Sequence, residues 1–341
     1  MRQQQVVFDA YYRSLKGLKA PRNCELSFVF VNDNDASSSF VWPDDCLVLP
    51  AFDRPASAQY AIDNITHRWN VDTFEHLAKC KQLLLDYTKD QRFDYVFLVD
   101  SDLLLEPTTL LSVYATQVDI CNAAFFTKWT PQDSALPQCW LSHPYGMAGL
   151  GMADYDYFRA LNRHELIRVA GGGACVLIKT HVLEKAGYHP RLDLPMESMW
   201  QGEDRSFAIC AERSHIRQYC DAWPRITHCY HPHQRTQAWM DEAWQQLNAP
   251  QQMLAKIGDW INITLTPMED SQLQQVLDPR ARCVRGRLGG LPLAPEIEAA
   301  LLSMVVGDKI IVDYAVPAGH PAYPQGTNKA IMVELIDVQP R

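Results

Sequence analysis

Phe93-Asp-Tyr-Val-Phe-Leu-Val-Asp-Ser-Asp102, followed by Leu103-Leu-Leu-Glu-Pro107, decides how the rest of the chain is placed. Tyr95 to Val99 is a continuous apolar, aromatic and β-branched run, which predicts a strand buried on both faces of a parallel sheet. The run ends in two acids, Asp100 and Asp102. In an open α/β sheet the ligand crevice lies outside the carboxyl ends of the strands, so these acids stand where a ligand would bind. Pro107 suits the first turn of a helix over 108–117, which puts the acids in a strand-to-helix turn. Hard oxygen ligands in such a turn suit Mg²⁺ or Mn²⁺ shared with a phosphate. Two aspartates in a turn also serve as a helix cap or a solvated loop.

Upstream, Asp72 with Glu75 three residues on is a capping-box pattern for a helix whose Phe74, Leu77, Ala78, Leu84 and Leu85 share one face. Before it come a helical spacing over 4–19, a strand Leu26–Val31 ending in Asn32-Asp-Asn-Asp35, and a short apolar stretch Cys46–Pro50. Downstream, Ile120–Phe126 reads as a strand and leads into a long polar and aromatic region through Tyr157, with Lys128, Trp129, Trp140, His143 and Tyr145. Loops of that length are usually functional. Exposed aromatics there would suit a sugar face, and buried packing of Trp129 and Trp140 explains them equally. Gly171-Gly-Gly173 precedes the apolar run Ala174–Ile178; a ligand lying against the backbone or a tight turn each accounts for the glycines. Gly202-Glu-Asp-Arg-Ser-Phe207 opens a helix. First-turn carboxylates are favoured by the helix dipole, and a positioned carboxylate can also take a proton from an attacking hydroxyl. Asp221–His228, with His231 and His233 beyond, has no Cys or His set at zinc-site spacing.

In this order, Asp100-Ser-Asp102, Asp119–Trp129, Leu136–Trp140, Gly171–Ile178, Gly202–Phe207 and His228 resemble the GT-A glycosyltransferases of the family-2 type, which use a nucleotide-sugar donor and a divalent metal. The resemblance implies an α/β fold over 1–245, a mostly parallel GT-A sheet flanked by helices. Asp100 would face the donor's ribose side and, with Asp102 and His228, hold Mn²⁺ or Mg²⁺; His231 is the second choice for the imidazole. Asp204 would be the general base of an inverting transfer, with Glu203 contacting or orienting the acceptor. Asp33, at the end of the second strand, would contact the nucleotide base, and Lys128, Trp129, Gly172 and Gly173 would line the donor. Sheets of this family open with a strand before the first helix, and here the chain starts at the residues that would follow it, so either the true start lies upstream or the sheet lacks that strand. The acceptor would be a glycan or a protein. A nucleotidyltransferase on a related sheet and a catalytically inactive binding protein are the competing readings.

After a linker over 246–256 the pattern changes to short strands, Gly258–Leu265, Ala281–Gly286, Lys309–Tyr314 and Ala330–Val338, with a helix over Pro295–Met304. Glu298–Asp308 and Val333–Val338 resemble FKBP-type or trigger-factor-type peptidyl-prolyl isomerase domains, which implies a small α+β domain over 257–341. Tyr323 matches a pocket tyrosine, but the family's phenylalanine and aspartate positions on the early strands are not evident. A binding or structural module with a protein partner is the expectation.

Composition sets limits. A net charge of -9 and a pI near 5.6 argue against a nucleic-acid partner, which needs clustered Lys and Arg. The ten cysteines are dispersed without a Cys-x-x-Cys pair, as for free thiols in a reducing cytoplasm. No apolar run approaches the roughly 20 residues that span a bilayer, and no secretion signal follows Met1-Arg-Gln-Gln-Gln5. A cytoplasmic protein is expected.

Overall fold

In the computed structural model the chain forms two units, Met1–Asn248 and Ala249–Arg341. The structure describes residues 3–21, 24–35, 39–58, 61–62, 67–68, 70–130, 135–140, 157, 160–161, 166–189, 202–248, 260–268, 282–288, 290–302, 304, 309–316 and 327–339. His143, Tyr145 and Tyr323 lie outside these.

The first unit begins with helix α1 (Gln5–Lys16), whose Val7, Phe8, Tyr11 and Leu15 recur at helical spacing and are buried. Strands β1 (Val29–Asn32) and β2 (Leu47–Pro50) pair in parallel, and β3 (Ala61–Ile62) pairs antiparallel with β4 (His67–Arg68). Helix α2 (Val71–Asp90) is capped by Asn70, whose side chain accepts from the Thr73 N–H at 2.8 Å. The cap is therefore Asn70 and not Asp72, which lies inside the first turn, where its charge favours the helix dipole.

Then follow β5 (Tyr95–Val99), β6 (Leu103–Leu105), α3 (Thr109–Ala115), β7 (Ile120–Ala123), the short pair β8 (Phe126–Thr127) and β9 (Leu136–Pro137), β10 (Leu166–Val169) and β11 (Cys175–Lys179). Helix α4 (Glu203–Arg213), β12 (Gln218–Asp221), β13 (Ile226–His228) and α5 (Gln237–Asn248) follow.

Among the described residues five strands form the central sheet in the order β10-β12-β7-β11-β5. β7 and β12 are parallel; β10–β12, β7–β11 and β11–β5 are antiparallel. The fold is mixed α/β, and the mostly parallel sheet expected from the Tyr95–Val99 run is not what the described strands form. A continuous apolar run reports that both faces of a strand are covered, and it carries no mark of the neighbour's direction. Both faces are covered here. Tyr95, Phe97 and Val99 of β5, with Cys175 and Leu177 of β11, pack toward α1, α3 and α5; Val96 and Leu98, with Val176 and Ile178, pack toward α2 and α4. β5 ends the sheet order, and Leu98 is its one buried residue, the other four being half-buried.

Pairing fixes what the sheet presents at one end. β5, β7 and β12 run in the same direction, so Asp100 after β5 stands at the carboxyl ends of three strands, beside the glycines that lead into β11. The Asp100 N–H donates to the Ala174 carbonyl at 2.7 Å.

In the second unit, β14 (Trp260–Met268), β15 (Arg282–Arg287), β16 (Lys309–Val316) and β17 (Thr327–Gln339) form an antiparallel sheet ordered β15-β14-β17-β16, with a bulge between Asn262 and Ile263. Helix α6 (Pro295–Leu301) places Ile297 and Leu301 in a core with Ile261, Ile263, Val333 and Leu335. The described cysteines are free, and all but Cys24 and Cys46 are buried. Among the described residues no helix is long and apolar enough to cross a membrane.

Candidate functional site

The turn after β5 does not run straight into a helix. Leu103–Leu105 is fully buried and forms β6, which pairs antiparallel with β13 so that Leu103 lies opposite His228. A three-residue apolar run ahead of a proline has no periodicity of its own, and this pairing could be read only with β13 beside it. Glu106 closes the far end of the ladder, accepting from the Arg225 backbone N–H at 2.9 Å and from Arg225 Nε at 2.8 Å. The near end carries the chemistry. The Cys229 N–H donates to the Asp102 carbonyl at 2.7 Å, and His228 Nε2 comes to 3.4 Å from Asp102 Oδ2.

The imidazole is held from behind. Thr127 Oγ1 pairs with His228 Nδ1 at 2.7 Å, while Phe125 and Tyr230 pack on the ring with centroids 5.3 and 5.2 Å away. A hydrogen bond at one ring nitrogen orients the other toward its ligand. Arg235 Nη2 lies 4.0 Å from the same Asp102 oxygen. His231, the second choice for the imidazole, instead uses its side chain to cap the turn Pro232–Gln234 and stacks on His233.

One carboxylate and one imidazole match part of a Mg²⁺ or Mn²⁺ shell. Among the described residues no group of three His, Cys, Asp or Glu side chains is placed so that it could hold a metal ion. Two such ligands do not form a self-contained protein cage; they leave most of a divalent ion's shell to oxygens from outside the chain.

A second constellation lies around Lys81, a residue the motif reading passed over. Lys81 Nζ is 2.8 Å from Glu203 Oε1, 2.8 Å from Asp204 Oδ1 and 3.3 Å from Asp100 Oδ1, with the Tyr188 ring 5.6 Å away. Burial, which alone would lower the Lys81 pKa, is outweighed by Asp100, Asp204 and Glu203, and the ammonium is held well above its ordinary value. Burial pushes Asp204 up to about 6, against the pull of Lys81 and with the push of Glu203. Asp100 is raised too, by desolvation first, against Lys81 and with Asp204, Glu203 and Asp102 behind it. Its side chain is 39% exposed, so water tempers that rise. The signal in the sequence was a lysine interrupting the apolar stripe of α2, three residues after Ala78 and four before Leu85.

The glycines ahead of β11 are explained by close packing. A Cβ at Gly172 would lie 2.5 Å from Asn122 Oδ1 and 3.0 Å from Cys139 Sγ, and one at Gly173 would fall on the Asp204 carboxyl group. This chain's own side chains occupy the space each glycine leaves. Gly173→Ala is accordingly expected to destabilise the first unit by about 1–3 kcal/mol, as overpacking does. Thermal denaturation should register a fall of about 2–4 °C per kcal/mol for a unit of this size. An unshifted melting temperature would show that the carboxyl group moves aside freely.

The remaining expected residues are spread out. Asp33 is turned to Arg54 Nη2 at 2.6 Å and His76 Nε2 at 2.8 Å, so both carboxylate oxygens are engaged within the chain. Burial would raise its pKa, but Arg54 and His76 together hold it below the ordinary value. A nucleotide base would have to share those oxygens. Trp129 is 41% exposed with its ring edge-on to Tyr230 at 5.4 Å, and Lys128 is exposed beside it. Trp129 thus reaches the His228 neighbourhood through Tyr230. No protein-family model and no curated protein matches the chain.

Proposed function

We propose that the first unit transfers a sugar from a nucleoside-diphosphate donor to an acceptor hydroxyl, with inversion, on a GT-A-type scaffold. The observation that carries this reading is the meeting of Asp102 and His228 at 3.4 Å, a carboxylate and an imidazole far apart in the chain and joined by the β6–β13 ladder. Its location at the carboxyl ends of β5, β7 and β12 adds support, because that end of an α/β sheet is where ligands bind.

Asp102 and His228 would hold the divalent ion, which when bound neutralises charge building on the departing diphosphate. Thr127 keeps the imidazole turned toward Asp102. Arg235 adds a fixed positive charge next to that carboxylate. At the other end of the site, Asp204 takes the proton of the acceptor hydroxyl as its oxygen attacks the anomeric carbon. The bond from that carbon to the phosphate oxygen breaks, and the leaving diphosphate keeps the electron pair. Exposed Trp129 offers an aromatic face to a sugar or base.

For the second unit we propose a binding module of FKBP or trigger-factor type, supported by one helix packed on a four-stranded antiparallel sheet. Free, buried cysteines support a cytoplasmic setting.

A thermal-shift panel of nucleoside diphosphates, triphosphates and nucleotide sugars, with and without Mn²⁺, tests the assignment. Mn²⁺-dependent stabilisation by diphosphates and nucleotide sugars is the expected result. Selective response to triphosphates would replace it with nucleotidyl transfer, and no response to any nucleotide would leave a binding protein.

A further inference from the structure

Lys81 projects from α2 into the space between the end of β5 and the start of α4, and its side chain is 12% exposed. An ammonium group carries three N–H donors. Three carboxylate oxygens from two other elements stand around it: Asp100 Oδ1 beyond β5, and Glu203 Oε1 and Asp204 Oδ1 in the first turn of α4. Tyr188 covers the group from the remaining side, and the Tyr188 backbone N–H is fixed by Gln82 Oε1 at 2.7 Å.

Such an arrangement has a physical cost that a structural lysine would not need. Burying an ion that α2 could replace with leucine or methionine is unfavourable unless the charges it meets require it. Three carboxylates converging on one point repel one another strongly in a partly desolvated pocket, and they stay together only with a counter-charge among them. Because Gly173 leaves no room behind the Asp204 carboxyl group, the base is gripped between that backbone and Lys81.

We infer that Lys81 is a positioning residue for the transfer: it ties the acid that ends β5 to the acid pair that opens α4, and holds one oxygen of Asp204 so that the other meets the acceptor. The catalytic half of this inference rests on the reading of Asp204 as the base.

The test is Lys81→Met, which keeps the length and removes the charge, beside Lys81→Arg, which keeps the charge. With donor and Mn²⁺ saturating, Lys81→Met is expected to lower kcat at least about 100-fold, the low end of what a positioned base supplies, while the donor KM stays within about threefold. Lys81→Arg should recover about tenfold of that loss, its different shape preventing more. Stability supplies the second readout. Lys81→Met should lower the melting temperature less than half as much in a Glu203→Gln background as in the wild type, because one of the repelling charges is gone. Should Lys81→Met not fold alone, recovery of a folded chain in that background supports the inference, and failure to recover overturns it. Equal melting-temperature losses in both backgrounds, or a kcat that survives Lys81→Met, also overturn it. A wild-type chain with no measurable transfer from any donor overturns the transferase reading instead, and the stability cycle then decides the counter-charge role by itself.

Discussion

Asp204→Asn is expected to reduce sugar transfer about a thousandfold while leaving nucleoside-diphosphate binding within about twofold, the middle of the range for losing a general base. Asparagine has the same shape, and its amide oxygen can still accept from Lys81, but it cannot take a proton. Loss of activity through unfolding is not expected. Removing one negative charge from three that share a single ammonium relieves repulsion, so the melting temperature should stay level or rise. The same residue sets the pH response. A base must be deprotonated to act, and burial pushes Asp204 up to about 6. Wild-type turnover should therefore fall about tenfold per unit as pH drops below that value and level off above it. The residual rate of Asp204→Asn should lack this acidic limb. Unchanged turnover in the variant, or persistence of the limb, would remove Asp204 from the role.

The second large effect concerns the other end of the site. Asp102→Asn should abolish the Mn²⁺-dependent part of the thermal shift given by a nucleoside diphosphate. At a ligand concentration about 100-fold above Kd the wild type gains about 2.7 kcal/mol, a shift of about 5–10 °C for a unit of this size. The variant keeps the backbone bond from Cys229 to the residue 102 carbonyl, so the β6–β13 ladder survives and the loss is confined to the side chain. His228→Ala should give the same loss from the opposite strand. A Mn²⁺-dependent shift that persists in Asp102→Asn would show that the ion, if it binds, is held elsewhere.

Much of the architecture was legible from residue pattern alone. The apolar positions of α1, the Tyr95–Val99 strand, the carboxylates in the first turn of α4 and the strand segments of the second unit each follow from local periodicity and turn chemistry. Asp100, Asp102, Asp204 and His228 stand out only through the resemblance of their motifs and motif order to a known family, and the structure brings Asp102 to His228 and Asp100 to the Lys81 cluster that holds Asp204. What pattern could not supply was the company each residue keeps. In sequence Lys81 is a charged residue on an otherwise apolar helix face and Asp33 an acid at a strand end; the three carboxylates around the one, and Arg54 and His76 around the other, come from distant segments.

By itself the sequence determined which segments are buried and where acids interrupt them, because transfer of a side chain from water depends on that side chain and its near neighbours. Tertiary structure alone decided strand direction, the β6–β13 register that carries His228 to Asp102, and the gathering of three carboxylates on one lysine. The physical reason is that hydrophobic burial has no direction, whereas hydrogen-bonded pairing and charge pairing need two segments at once, and neither segment encodes the other.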